Sequence, residues 1–282
     1  MRTNHTTTTK FVLLGTGTPN AEPDRSGPAA AVVVNETPYL IDFGPGIVRR
    51  ANAAAQCAIK GLTPPNLKRA FLTHLHSDHT AGFPDLILTP WTLGRDEPLH
   101  VYGPPGLYEM SEHIQAAYRQ DIAERLHGKE PANPNGYSVV AHEIRPGLIY
   151  QDKNVSVEAF PVSHGSWPAF GYKFQTPDRC IVISGDAKPT DRSAGDYLGC
   201  DLLVHEVYSA VKLAQRRPDW QTYHSSVHTS SHELAQLCAQ VRPELLVLYH
   251  QLFMGASASE LLAEIGEIYD GPVVSGKDLD VY

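Results

Sequence analysis

Short apolar runs, separated by Gly, Pro and polar residues, punctuate this chain from end to end, and their length and spacing distinguish strand from helix. Short β-branched or apolar runs occur at Phe11–Leu14, Ala31–Val34, Tyr39–Ile41, Ala70–Thr73, Val155–Pro161, Cys180–Ser184, Leu202–Val204 and Leu245–Tyr249. Runs this short, bounded by turn formers, predict buried strands. Longer stretches predict helices at Ile47–Lys60, Pro84–Leu93, Leu107–His127, His232–Val241 and Ser259–Tyr269, several of them closed by Gly or Pro. A block of strands followed by alternating helices and strands predicts a mixed α/β fold of two packed sheets with helices outside. The polar stretch 128–136 follows the longest predicted helix, so 107–136 reads either as a helical lid insertion or as a surface excursion.

Composition narrows the class. The 282 residues are 42% hydrophobic and 19% charged, enough apolar material for one folded domain spanning 1–282 and too much for a disordered chain. A net charge of -8 repels phosphate backbones unless a basic patch intervenes. The basic pairs Arg49/Arg50, Lys68/Arg69 and Arg216/Arg217 are each isolated, so nucleic acid is not expected as a partner. The four cysteines have no CxxC spacing and read as free thiols. Met1 to Lys10 lacks the apolar core of a signal peptide and no run reaches membrane-spanning length, which places the protein in the cytoplasm with no membrane partner.

The chemistry concentrates in one stretch, where the strand ending near Phe71 runs into Thr73-His74-Leu75-His76-Ser77-Asp78-His79-Thr80. In extended backbone, His74 and His76 face the same side and can share an ion, while a turn at Ser77 carries Asp78 and His79 toward a second. Imidazole and carboxylate donors suit zinc, with manganese and iron as alternatives. His164, Asp186 and His250 each follow or end a predicted strand, where side chains reach a shared crevice. Seven ligands supply two sites of three groups each plus a bridging carboxylate, leaving room for a water, as catalytic sites do.

These motifs resemble the metallo-β-lactamase superfamily, in the branch of tRNase Z and related phosphodiesterases and arylsulfatases. The likeness includes Leu14-Gly15-Thr16-Gly17-Thr18, Ile41-Asp42-Phe43-Gly44-Pro45-Gly46, Val101-Tyr102-Gly103-Pro104-Pro105-Gly106, Leu203-Val204-His205-Glu206 and His250. It implies a four-layer αββα sandwich in which His74, His76 and His164 bind one ion, Asp78, His79 and His250 the other, and Asp186 bridges them. It also implies that Glu206 and His228 act as a proton relay, His228 standing in Val227-His228-Thr229-Ser230. His224 and His232 compete for that role. His205 reads as a residue orienting a ligand, and Asp42 either as another or as a turn aspartate. Members of this branch are often homodimers.

The expected reaction is attack of a metal-activated water on a phosphodiester, sulfate ester or carboxylic ester of a small molecule, with Asp78, Glu206 and His228 in catalytic roles. Trp167 and Phe170 are the foremost candidates for an apolar substrate wall, ahead of Trp91 and Tyr208. A tRNA 3′-end endoribonuclease is the alternative, and a non-catalytic metal sensor a more distant one. In tRNase Z a long arm between the third-motif histidine and the bridging aspartate grips tRNA. Here His164 and Asp186 are 22 positions apart, room for a hairpin only, and the charge is acidic, so tRNA is not expected as substrate.

Overall fold

The computed structural model describes residues 8–282. The first half of the chain supplies β1 (Thr9–Gly15), β2 (Ala29–Val34), β3 (Thr37–Ile41), β4 (Arg69–Phe71), β5 (Leu99–Gly103) and β6 (Val139–Glu143), which form a six-stranded sheet in sequential order. The second half supplies β7 (Gly147–Gln151), β8 (Ser156–Val162), β9 (Ala169–Gln175), β10 (Cys180–Ile183), β11 (Leu202–Tyr208), β12 (Leu245–Leu252) and β13 (Val273–Ser275), a seven-stranded sheet also in sequential order. Helices α1 (Ile47–Cys57), α2 (Ser77–Thr80), α3 (Phe83–Thr92), α4 (Leu107–Ala117) and α5 (Arg119–His127) accompany the first sheet in sequence. Helices α6 (Ser193–Tyr197), α7 (Ala210–Leu213), α8 (Pro218–Val227), α9 (Ser231–Val241) and α10 (Ala258–Gly266) accompany the second.

The alternation of side chains along each strand builds three cores. In β1, Val12 and Leu14 share a core with Ala51 and Ala54 of α1 and Phe83 and Leu86 of α3. Phe11 and Leu13 point the other way, into the core between the sheets with Tyr172 and Phe174 of β9 and Val247 of β12. Beyond the second sheet, Leu246 and Leu248 of β12 pack in a third core with Leu234 and Cys238 of α9 and Leu261 and Ile265 of α10. The expected four-layer αββα sandwich results, and burial on both faces explains why the central strands read as unbroken apolar runs. Ser230 with Glu233 and Ser257 with Glu260 form capping boxes that start α9 and α10.

The expected helix over Leu107–His127 is two helices, broken at Tyr118, whose φ and ψ of -98° and 12° leave the helical range. Among the described residues, no helix is long and apolar enough to cross a membrane.

Candidate metal centre

Strand ends along one edge of the sandwich deliver the candidate side chains. After β4 the chain passes His74 and His76 and enters the one-turn α2, which carries Asp78 and His79. His164 follows β8, Asp186 follows β10, Glu206 lies in β11 and His250 in β12. The structure brings the seven predicted ligand residues together. His74 Nε2 and His164 Nε2 lie 3.0 and 3.1 Å from His76 Nδ1. Asp78 Oδ2 lies 3.2 Å from His250 Nε2 and 3.6 Å from His79 Nε2. Asp186 stands between the two groups, with Oδ1 3.4 Å from His79 Nε2, and Oδ2 3.4 Å from His250 Nε2 and 3.8 Å from His164 Nε2.

The surrounding hydrogen bonds choose which ring nitrogen faces inward. His164 Nδ1 donates to the Val227 carbonyl at 2.8 Å, which frees Nε2. Buried Asp42 accepts from the Thr73 N–H and hydroxyl, at 2.7 and 3.0 Å, and holds His79 Nδ1 at 2.8 Å. With its proton committed to Asp42, the Thr73 hydroxyl accepts from His74 Nδ1 at 3.0 Å. Asp42 therefore orients ligand candidates from beneath, as carboxylates behind metal-bound histidines do. Burial pushes the His74, His76 and His164 imidazoles below their ordinary range, toward the neutral form that ligates metals. At His79 burial pulls the same way, but Asp186 and Asp42 outweigh it and raise the imidazole well above that range.

A strand irregularity aims His250. Between the pairs His205–Leu248 and Val207–Gln251, Glu206 of β11 opposes both Tyr249 and His250 of β12, and His250 adopts φ 43°. Strict alternation would turn His250 toward the third core beside Leu246 and Leu248; the bulge turns it to the ligand cluster instead.

Glu206 and His228 also meet. Glu206 is fully buried, its Oε1 accepts from the Ala187 and Thr229 N–H groups, and His228 Nδ1 lies 3.3 Å from that oxygen. Burial opposes the charged imidazole, but the Glu206 carboxylate outweighs it and holds His228 up to about 9. His205 points elsewhere, Nε2 to the Tyr197 hydroxyl and Nδ1 to the Glu206 carbonyl, so it orients no candidate ligand. His232 lies in the first turn of α9 and contributes nothing to the cleft, whereas His224 lines it.

The cluster opens into a cleft of about 810 Å³ lined by His76, Asp78, His164, Asp186, His228 and His250 and walled by α8 and the Pro19–Asn20 turn. The expected substrate wall needs correction. Phe170 is buried between the sheets, its N–H donating to the Thr73 carbonyl, because its position in β9 faces the core. Trp91 is buried in α3, and Tyr208 lies in a separate small core. Trp167 is half exposed and packs on the His76 ring at 4.9 Å. None of the residues lining the cleft comes from 107–136, and Leu107 of α4 is in the first core. The sequence reading missed the cleft wall that does exist, α8 with Trp220 and Tyr223; its one signal was the spacing 220, 224, 228.

Comparison with known proteins decides the family. The family model described as beta-lactamase superfamily domain matches residues 37–251. The chain belongs to the metallo-β-lactamase superfamily. Within it, the chain is 32% identical over 231 residues to the ribonuclease Z of Mycobacterium bovis, covering 79% of this chain and 80% of that one. It is 30% identical over 282 residues to the ribonuclease Z of Mycobacterium marinum, covering 96% of each. The crystal structure of human tRNase Z, short form, superposes with a TM-score of 0.70 at 22% identity, covering 97% of this chain and 98% of that one. These findings overturn the expectation that excluded tRNA in favour of a small-molecule ester. The likeness to a protein named ribonuclease Z runs over nearly the whole chain, the short β9–β10 hairpin between His164 and Asp186 included in its span.

The superfamily implies divalent ions, and the residues fit them. Ligands on bonds of about 2.0–2.1 Å stand about 3.3 Å apart around a tetrahedral ion, close to the 3.0–3.6 Å separations within each trio. His79 Nε2 and Asp186 Oδ1 are buried with no hydrogen-bond partner, as atoms aimed at a cation would be. His74, His76 and His164 could hold one ion and Asp78, His79 and His250 a second, with Asp186 within reach of both.

Proposed function

We propose that this protein is a metal-dependent endoribonuclease of the ribonuclease Z type, hydrolysing a phosphodiester bond near the 3′ end of a tRNA precursor. The observation that carries the reading is the chain-long likeness to proteins named ribonuclease Z. The Glu206–His228 pair beside the ligand cluster supplies the proton donor that such a cut requires. When bound, two divalent ions, zinc being the best match to these donors, would supply an activated water and neutralise phosphate charge.

The chain's own residues do the rest. Asp42, Thr73 and the Val227 carbonyl fix the ligand rings. Glu206 keeps His228 protonated at neutral pH, so that as the bond from phosphorus to the leaving oxygen breaks, the His228 proton passes to that oxygen. Incubating metal-loaded protein with a 3′-extended tRNA tests the reading: a single cut at the end of the acceptor stem is expected. Hydrolysis of bis(p-nitrophenyl) phosphate with the tRNA left intact would reject it.

A further inference from the structure

Helix α8 buries only Val227 among its ten residues, yet it carries two large aromatics over the cleft, Trp220 and Tyr223, 51% and 46% exposed. Residues 220, 224 and 228 stand one turn apart on one face. Their rings extend a column that starts at the metal cluster. His250 faces His228 at 6.0 Å and 22°, His228 faces His224 at 5.6 Å and 32°, and His224 faces Trp220 at 5.6 Å and 27°. Tyr223 stands edge-on to Trp220, at 5.8 Å and 84°. Arg216, tied by Nη2 to the Met254 carbonyl, places a positive charge on the same wall.

Core packing does not account for two half-exposed aromatics on a helix with a single buried residue. A planar ligand group entering the cleft does: the column of near-parallel rings runs from the proton donor to Trp220, which has His224 on one side and is half exposed at the cleft mouth. From this geometry we infer that Trp220 is a stacking platform for an unpaired nucleobase of the substrate, with Tyr223 standing edge-on beside it. That base belongs to the nucleotide whose oxygen leaves, because His228, which protonates that oxygen, begins the column. The inference rests on the RNA-cleaving reading of the site. Base stacking on one aromatic side chain changes affinity by about tenfold to a hundredfold.

The test measures kcat and KM for wild type, Trp220→Ala and Trp220→Phe on three versions of a 3′-extended tRNA. One is unmodified, one lacks the base on the leaving side of the scissile phosphate, and one lacks the base on the other side. Trp220→Ala is expected to raise KM about tenfold or more on the unmodified RNA with kcat nearly unchanged, and Trp220→Phe to restore most of the loss. The Ala penalty should vanish when the leaving-side base is absent and persist when the other is. No penalty, an equal penalty on all three RNAs, or a penalty that vanishes with the other base overturns the platform and leaves the nuclease reading standing. A wild-type protein that cuts none of them, yet hydrolyses bis(p-nitrophenyl) phosphate, removes the nuclease reading and the platform together.

Discussion

Asp42 shows how one residue organises a site it does not enter. It sits at φ 55°, a left-handed conformation uncommon for a residue with a side chain, in the turn that leaves β3. The turn passes so close beneath the ligand loop that a Cβ on Gly44 would lie 2.6 Å from the Asp78 carbonyl oxygen, so only glycine fits there. From this position the carboxylate holds Thr73 and His79 at once. Asp42→Ala is expected to weaken metal binding about 10- to 100-fold, measured by titration against a competing chelator; unchanged affinity would mean that the ligand rings are fixed by something else. His228→Ala makes a contrasting prediction: metal content unchanged, with hydrolysis slowed about 100-fold or more for a poor leaving group and less for p-nitrophenolate, which needs little protonation. Equal slowing for both would contradict a role in proton donation. The clustering of His74, His76, Asp78 and His79 was legible in the sequence because they lie within six residues of one another. Phe170 was misread because the sequence does not say which face of β9 meets the core.

At the scale of elements, two helices show opposite ends of legibility. Helix α3 was evident from its apolar pattern, but Pro90 inside it lacks the N–H that would bond to the Leu86 carbonyl. The fully buried Arg95 repairs the defect. Its guanidinium donates to the carbonyls of Leu86, Ile87, Leu67 and Gly136, tying the helix end to the loop that follows α5. Arg95→Met is expected to destabilise the fold by about 3 kcal/mol or more, because buried carbonyls lose their donors. Arg95→Lys should recover only part of this, having no planar fork. Urea unfolding of both variants decides the matter; a loss below about 1 kcal/mol for Met would show that the carbonyls find other partners. Helix α8 was not evident, since its polar sequence serves a cleft and lacks the apolar stripe that marks a core-facing helix. Strands β5, β6, β7, β9 and β13 also escaped: β5, β6, β7 and β13 carry half-buried or exposed positions, and β9, though mostly buried, has its apolar run broken by Gly171 and Lys173.

Across the whole molecule, the two sheets are joined at their margins by polar ties. Tyr39 of β3 donates to Asp152, just beyond β7, at 2.6 Å, and Thr9 of β1 donates to Asp178, in the β9–β10 turn. Burial pushes both carboxyls up, but hydrogen bonds outweigh it, from Tyr39, Tyr150 and the Asn154 and Val155 N–H groups to Asp152 and from Thr9 and Thr176 to Asp178, and leave both below the usual carboxylate range. A carboxyl whose folded value is depressed stabilises the fold at pH above its unfolded value, about 3.9, and loses that contribution as pH falls toward the folded value. The urea midpoint should therefore drop as pH falls from about 5 toward 3, and Asp152→Asn should flatten the drop; an equally steep fall in that variant would place the acid sensitivity elsewhere. At this scale the expectation that excluded tRNA failed. A net charge of -8 describes the average surface and not the field inside one cleft, and a short connection in one loop does not outweigh a likeness to ribonuclease Z over nearly the whole chain.

By itself the sequence determined the layer order, the run of four candidate ligands and the class of chemistry, because each depends on local spacing: apolar runs of strand length, and imidazoles and carboxylates close together in the chain. Only the tertiary structure decided the rest. It set the bulge that turns His250 inward and the turn that lifts Asp42 beneath His79. These depend on contacts between segments far apart in the chain, where the direction of a side chain is fixed by packing and leaves no periodic trace in the sequence.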